Sequence, residues 1–193
     1  MPRVKQFDKA EVLEKAKDLF WRQGYHATSV QNLVNHLGIN RGSLYDTFGG
    51  KNELYEAAFK SYRTDNADFL QNHFDQYESV SEAVKDLLLY SAKNAMEDPD
   101  RKGCFVVNCT TEYLPHHKHF LPELLKNKSN FENTVGNALR KAVEKGEFSS
   151  KLNIAEVTSF LFTFMSGLNV IAKVEQSPQA IEDMIEVALK VLN

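Results

Sequence analysis

The chain is poor in the residues that punctuate or staple a fold. It has two cysteines, five prolines, nine glycines and one tryptophan in 193 residues. Two cysteines cannot form a disulfide framework. So little proline and glycine excludes collagen-like and low-complexity classes. The longest uncharged run, Val157–Ala172, contains Thr, Ser and Asn and falls short of the ~20 apolar residues of a bilayer span. The N-terminal MPRVKQFDKAE lacks the apolar stretch of a secretory signal. The expectation is a cytoplasmic protein with reduced thiols and no membrane partner. No G-x-G-x-x-G, P-loop, H-E-x-x-H or G-x-S-x-G string occurs, and no Glu has a His three residues on, so no enzyme chemistry is expected. His116, His117 and His119 with Cys109 match no standard zinc spacing, so neither a metal nor a cofactor is expected.

Nearly every segment that is present has helical periodicity. Asp8-x-x-Glu11 has capping-box form and precedes Val12, Leu13, Ala16, Leu19 and Phe20; Gly24 ends that helix. Thr28-Ser29-Val30-Gln31 has the same form, followed by Val30, Leu33, Val34 and Leu37 at steps of three and four, with Gly38 as the stop. Asn40 can cap a third helix of about eight residues, too short to be stable alone. After Gly49-Gly50 a long helix should bury Leu54, Ala58, Phe59, Tyr62, Phe69 and Leu70. Ser79-x-x-Glu82 opens another. Gly103–Tyr113 reads as a short helix, and Pro122 suits the first position of a long one. The whole predicts an all-α fold of about nine helices.

The last two helices are apolar most of the way round. One carries Val157, Phe160, Leu161, Phe164, Leu168 and Ile171 on one face and Phe162, Met165, Asn169 and Ala172 on another. The other carries Ile181, Ile185, Ala188, Leu189 and Leu192, with Met184, Val187 and Val191 as a second stripe. Such helices need cover on more than one side. The simplest cover is the same pair from a second copy, a four-helix contact about a two-fold axis, with Phe160, Phe164, Leu168, Ile181, Met184, Ile185 and Ala188 expected in it. A central position in a monomer core is the alternative.

Charge is unevenly spread. Residues 1–51 hold 8 basic and 5 acidic side chains and the remainder 15 and 21, a basic head on an acidic body. Within that head, TSVQNLVNHLGINRGSLYDTFGGK places two short helices either side of Leu37-Gly38-Ile39-Asn40, a helix-turn-helix layout at about residues 29–48. Arg41 and Ser43 stand on the first turn of the second helix, Gly42 lets backbone approach DNA closely, and Tyr45 offers a hydroxyl to a phosphate. Lys51 begins the next helix, where the helix end also favours an anion.

The string resembles the N-terminal domain of the tetracycline-repressor (TetR) family of bacterial regulators. That family's G-[YF]-x-x-T-[ST], G-[VI]-[ST] and [LI]-Y-x-x-F-x-x-K-x-x-L are met here by Gly24-Tyr25-His26-Ala27-Thr28-Ser29, by Gly38-Ile39-Asn40, and by Leu44-Tyr45, Phe48, Lys51 and Leu54. Asn40 replaces the usual Ser or Thr, and Asp46-Thr47 replaces a common aromatic or His pair. The resemblance implies a DNA-binding head over residues 1–50 and an effector-binding, dimerising body over 51–193. It implies a homodimer on a palindromic double-stranded operator, released by an unidentified small-molecule effector through a shift of the fourth helix. By matching, Thr28, Tyr45 and Lys51 become phosphate contacts. Gln31, Arg41 and Ser43 become candidates for base edges, with Asp46 and Thr47 behind them and Asn40 and Gly42 beside them.

For the body the candidates to line an effector cavity are Phe69, Tyr90, Cys104, Phe105, Asn108, Glu112, Phe131, Phe162, Met165 and Asn169. The polar members interrupt apolar runs and need partners if buried. Arg101-Lys102-Gly103-Cys104 sets a thiol beside two cations, which would favour its reactive thiolate; a small buried hydrophobe is the alternative.

Overall fold

A computed structural model describes residues 7–192 of the chain. Arg3 and Lys5, which contribute to the basic head, lie outside the described residues. Nine α-helices and no strand occur among the described residues: α1 Lys9–Gln23, α2 Val30–Leu37, α3 Arg41–Phe48, α4 Lys51–Phe74, α5 Val80–Glu97, α6 Phe105–Asn108, α7 Leu121–Glu144, α8 Ile154–Ile171 and α9 Pro178–Leu189.

The helices begin and end for local reasons. Asp8 caps α1 by accepting from the Ala10 N–H at 2.8 Å. The capping box of α2 lies one residue later than the sequence form suggests. Ser29 is the cap and Asn32 closes the box, the Asn32 N–H donating to Ser29 Oγ and the Ser29 N–H to Asn32 Oδ1, each at 3.0 Å. Thr28 is unavailable because it is fully buried and its hydroxyl donates to the Gly24 carbonyl at 2.6 Å. Gly38 turns the chain between α2 and α3 at φ 66°, ψ 26°, a left-handed conformation that glycine adopts without a Cβ penalty. Asn40 then caps α3 by accepting from the Ser43 N–H at 2.8 Å. Pro122 occupies the second residue of α7 rather than the first. The Gly103–Tyr113 segment divides into the four residues of α6 and a π-helical turn, Cys109–Tyr113.

Two buried clusters organise the chain. The first joins Val12, Ala16, Leu19 and Phe20 of α1, Leu33 and Leu37 of α2 and Leu44 of α3 to Leu54, Tyr55, Ala58 and Phe59 of α4. It also takes in Phe105, Cys109, Tyr113, Phe120 and Leu124 from the body. The core under the helix-turn-helix therefore continues past residue 50, and α4 belongs to both parts. The second cluster lies among α5, α7, α8 and α9 and includes Leu88, Val135, Leu139, Leu161, Leu168, Ile181 and Ile185. At 24 residues α4 spans about 36 Å, long enough to run from one cluster to the other.

The α8–α9 pair differs from expectation in which faces it buries. Leu168, Ile181, Ile185 and Ala188, expected at a contact between copies, are at most 3% exposed and fill this protomer's own core. The exposed apolar side chains are instead Phe160, Val170, Ile171 and Val174 along and just after α8 and Val187 on α9, with Phe164, Met184 and Val191 half-buried beside them. Phe160 and Phe164 stack with ring centroids 5.9 Å apart. By length and composition alone α8, 18 residues with mean hydropathy 1.5, could cross a bilayer, contrary to the expectation that the stretch is too short. Only 22% of it is buried within the protomer, although it packs on α5 and α7.

Candidate functional site

At one tip of the molecule α3 lies on α2 and the start of α4, fixed from below by Leu44, which is fully buried. That anchor turns the opposite face outward. Gln31, Asn40, Arg41, Gly42, Tyr45 and Asp46 are all exposed. Arg41 and Tyr45, one turn apart, share an edge, with the guanidinium carbon 5.8 Å from the phenol ring centroid. Ser43 is half-buried, its backbone already committed to Asn40. Lys51 is half-buried on the first residue of α4, its ammonium 4.1 Å from the Tyr25 ring centroid. Burial there lowers the lysine pKa, and the Glu112 carboxylate partly offsets this. Lys9 adds a cation that no sequence motif singles out; its ammonium stands 5.5 Å from the Phe48 ring at the end of α3.

Two residues of the expected DNA set do not face outward. Thr28 is buried with its hydroxyl on Gly24, so its side chain fastens the end of α1 rather than presenting to a phosphate. Thr47 is half-buried, and its hydroxyl oxygen is enclosed with no partner among the described residues. Thr28 lies in the turn before α2 and Thr47 on the inward side of α3, a distinction that residue type does not carry.

The body holds a cavity of about 810 Å³ bounded by α4, α5, α7 and α8 and by the 98–106 segment. Such a volume falls within the range of small-molecule sites. Seven of the ten expected residues line it: Phe69, Tyr90, Cys104, Phe131, Phe162, Met165 and Asn169. Phe69, predicted to be buried in the α4 stripe, is 37% exposed and stacks on Tyr90 with centroids 4.9 Å apart. The other three residues lie elsewhere. Phe105 is 1% exposed in the first cluster against Tyr55 and Tyr62. The Asn108 amide donates to the Lys102 carbonyl at 2.9 Å. Glu112 reaches the head, where it accepts from the His26 N–H at 2.7 Å and lies so close to Gly24 that a Cβ there would meet its carboxylate oxygen at 2.6 Å.

Trp21 of α1 also lines the cavity, which the sequence did not suggest. Its indole N–H donates to the Gly103 carbonyl at 2.7 Å, and its ring lies edge-on to Tyr62 with centroids 4.9 Å apart. The cavity thus touches the head directly through α1 and indirectly through α4.

The thiols have different settings. Cys104 stands just before α6, is half-buried, and has its sulfur 3.8 Å from the Tyr62 hydroxyl. The neighbouring cations are engaged elsewhere: Arg101 donates to the Lys173 carbonyl at 2.8 Å and Lys102 pairs with Asp18 at 3.6 Å. Cys109 is fully buried, and burial pushes its thiol up to about 12 despite the Tyr55 hydroxyl beside it. His116 and His117 form part of the head–body joint, their rings packed edge-on to His26 and Tyr25 respectively. His117 stacks on Tyr113 with centroids 3.9 Å apart, and His119 Nε2 lies 2.8 Å from Glu56 Oε1. No group of three or more metal-ligating side chains occurs among the described residues.

Comparison with known proteins gives a consistent result. Residues 12–58 match the family described as "Bacterial regulatory proteins, tetR family", and residues 83–188 match "Tetracyclin repressor-like, C-terminal domain". The chain is 34% identical over 195 aligned residues, covering 100% of both chains, to the uncharacterized HTH-type transcriptional regulator YezE of Bacillus subtilis (strain 168). It is 29% identical to the HTH-type transcriptional repressor ComR of Escherichia coli (strain K12), with 89% of this chain and 82% of that one covered. Among solved structures, a cysteine mutant of the TetR-family regulator CifR, complexed with 26-bp double-strand operator DNA, superposes with a TM-score of 0.86 at 25% identity. That match covers 99% of this chain and 100% of the other. An all-α chain with an exposed helix-turn-helix at its tip, matched along its length by such regulators, belongs to the tetR family of bacterial DNA-binding transcriptional regulators, which are not enzymes.

Proposed function

We propose that this chain is a homodimeric repressor that holds a palindromic operator and releases it when a small molecule fills the body cavity. The observation that carries the reading is the pairing of two exposed surfaces: the outward edge of α3, with Arg41 and Tyr45, and the uncovered apolar stripe of α8 and α9. Joining two copies through the stripe would place two α3 helices on one face of a duplex. They would meet successive major grooves if spaced about 34–36 Å apart or a multiple of that. Residues 1–50 then act as the DNA-binding unit and 51–193 as the effector and dimer unit, with α4 shared between them. The work would be done in the cytoplasm on nucleoid DNA, without a membrane.

Within this reading Tyr45 and Lys51 bind phosphate and set register, while Gln31, Arg41 and Ser43 reach base edges, with Asp46 able to accept from cytosine. Lys9 joins the phosphate set because it stands beside α3. Thr28 and Thr47 support the two helices from inside. The cavity can influence the heads because Trp21 and the Tyr62–Gln71 part of α4 form its wall. A ligand shifts the equilibrium only as far as it favours one spacing of the heads over the other.

A gel-shift titration with fragments flanking the chain's own gene tests this, with sedimentation run on the same material. Saturable retardation of one fragment by a two-copy complex is expected. A purely monomeric protein that retards no fragment, or all fragments equally, contradicts it.

A further inference from the structure

The charged residues that line the body cavity are nearly all matched by partners within the protein. Arg63 Nη1 donates to Glu123 at 2.6 Å, and Asp65 accepts from Lys17 at 2.7 Å. Lys102 pairs with Asp18, and the Asp98 carboxylate accepts from the backbone N–H groups of Lys102 and Asp100 at 2.8 and 3.1 Å. Asp68 is exposed on α4 and stays in water. An anionic ligand would give up hydration and find no free cation without breaking the Arg63–Glu123 pair, and a cationic one would meet carboxylates without a cationic partner only at Asp98, already holding two backbone N–H groups, and at Asp68, which is exposed to water.

The uncharged lining is of two kinds. Aromatic rings stand on several sides: Trp21 and Tyr62, the stacked Phe69–Tyr90 pair, and Phe131 against Phe162 with centroids 5.5 Å apart. Between them run carboxamides. Asn169 is tied to Ser91 Oγ and the Met165 carbonyl, each at 2.8 Å. Asn94 on α5 and Asn127, Asn130 and Asn133 on α7 also line the space, and their side chains make no hydrogen bond to any described residue. Asn127 and Asn130, with Thr134 one turn further, form a polar edge on α7 beside Phe131. A carboxamide both donates and accepts but carries no charge, so it suits carbonyl, amide or hydroxyl groups rather than ions.

We infer that the body cavity binds an uncharged, planar aromatic molecule whose ring lies among Phe69, Tyr90, Phe131 and Phe162 and whose amide, carbonyl or hydroxyl edge is held by Asn127 and Asn130. This rests on the reading of the cavity as the effector site. The ligand is drawn by ring burial and oriented by the asparagine edge, as in sites where a few polar groups fix an otherwise apolar ligand.

Three probes of one shape separate the charge classes: 4-phenylbenzamide, 4-phenylbenzoate and 4-phenylbenzylammonium. The single tryptophan, Trp21, lines the cavity, so its emission, excited at the red edge of the band, reports occupancy of this site. The benzamide is expected to bind about tenfold or more tighter than either ion. That preference should fall at least several-fold in Asn127→Leu/Asn130→Leu, which alters partly or fully exposed positions and leaves both cores intact. Equal or tighter binding of an ion overturns the inference. So does failure of all three probes to change Trp21 emission up to about 1 mM, and so does a double variant with unaltered preference. Adding the benzamide to the DNA complex distinguishes the two readings. Binding at Trp21 with the preferred charge order but no loss of DNA retardation supports the ligand class and refutes the effector role.

Discussion

Val187→Glu tests the stripe of α8 and α9 with little risk to the protomer. Val187 is 62% exposed in the last turn of α9, between Met184 and Val191 in the chain. Fully burying a valine is worth about 1.5–3 kcal/mol. Covering the fraction still exposed contributes roughly 1–2 kcal/mol per copy, and a two-fold contact counts it twice, giving roughly 2–4 kcal/mol. The variant loses this and also brings two carboxylates into an apolar contact, which adds further cost. The dimer dissociation constant should therefore rise by at least about a hundredfold. Sedimentation velocity across a dilution series reads this directly, and circular dichroism checks that the helices persist. Operator affinity should fall in parallel, because a single head makes half the contacts. A variant that stays dimeric at the wild-type concentration would refute both the choice of surface and the argument from exposure.

Other outcomes follow from particular residues. Lys51→Ala should weaken binding to every DNA sequence and flatten the dependence of log affinity on log salt by about 0.9, the share of one neutralised phosphate; an unchanged slope would show that Lys51 touches no phosphate. Leu44→Ala empties a fully buried position beneath α3 and should cost about 2–5 kcal/mol in urea unfolding, a loss under about 1 kcal/mol arguing against its role as the anchor. Glu147 caps α5 from the far end of α7, accepting from the Val80 and Ser81 N–H groups at 3.1 and 2.9 Å and from Ser79 Oγ at 2.8 Å. Burial pushes its carboxyl up, but those donors outweigh it and hold the group below the ordinary value of 4.5. Glu147→Gln should cost about 1 kcal/mol at neutral pH, modest because the site is exposed. A depressed carboxyl stabilises above its unfolded pKa, so the difference from wild type should shrink as pH falls below about 4.5. A pH-independent difference would contradict the ionic role of the cap.

Periodicity and caps made most of the fold legible, because each helix records its own start, stop and buried face. Leu33, Leu37 and Leu44 are spaced for one side, and Gly38 and Asn40 mark the turn between them. Less legible was which of two apolar faces meets the protomer's own core. On α8 and α9 hydropathy treats Leu168 and Ile185 like Phe160 and Val187, and only the placement of α5 and α7 decides between them. Thr28 and Thr47 misled for a related reason, since a short polar side chain suits an inward or an outward position, in the turn before α2 as on α3. The asparagine edge of α7 was readable in principle, as Asn127, Asn130 and Thr134 recur at helical steps beside Phe131. Trp21 was not, because its place in the cavity depends on how α1 docks on a segment more than 80 residues away.

If two copies of this chain hold a palindromic operator as proposed, α3 must enter the major groove in both. Methylation interference at guanine N7 in the major groove and adenine N3 in the minor groove of the retarded fragment, read on both strands, measures this most directly. Two patches of major-groove interference related by a dyad, one helical turn or a whole multiple apart, are predicted, and Arg41→Ala should relax one position in each. A single patch, or interference confined to the minor groove, would contradict it.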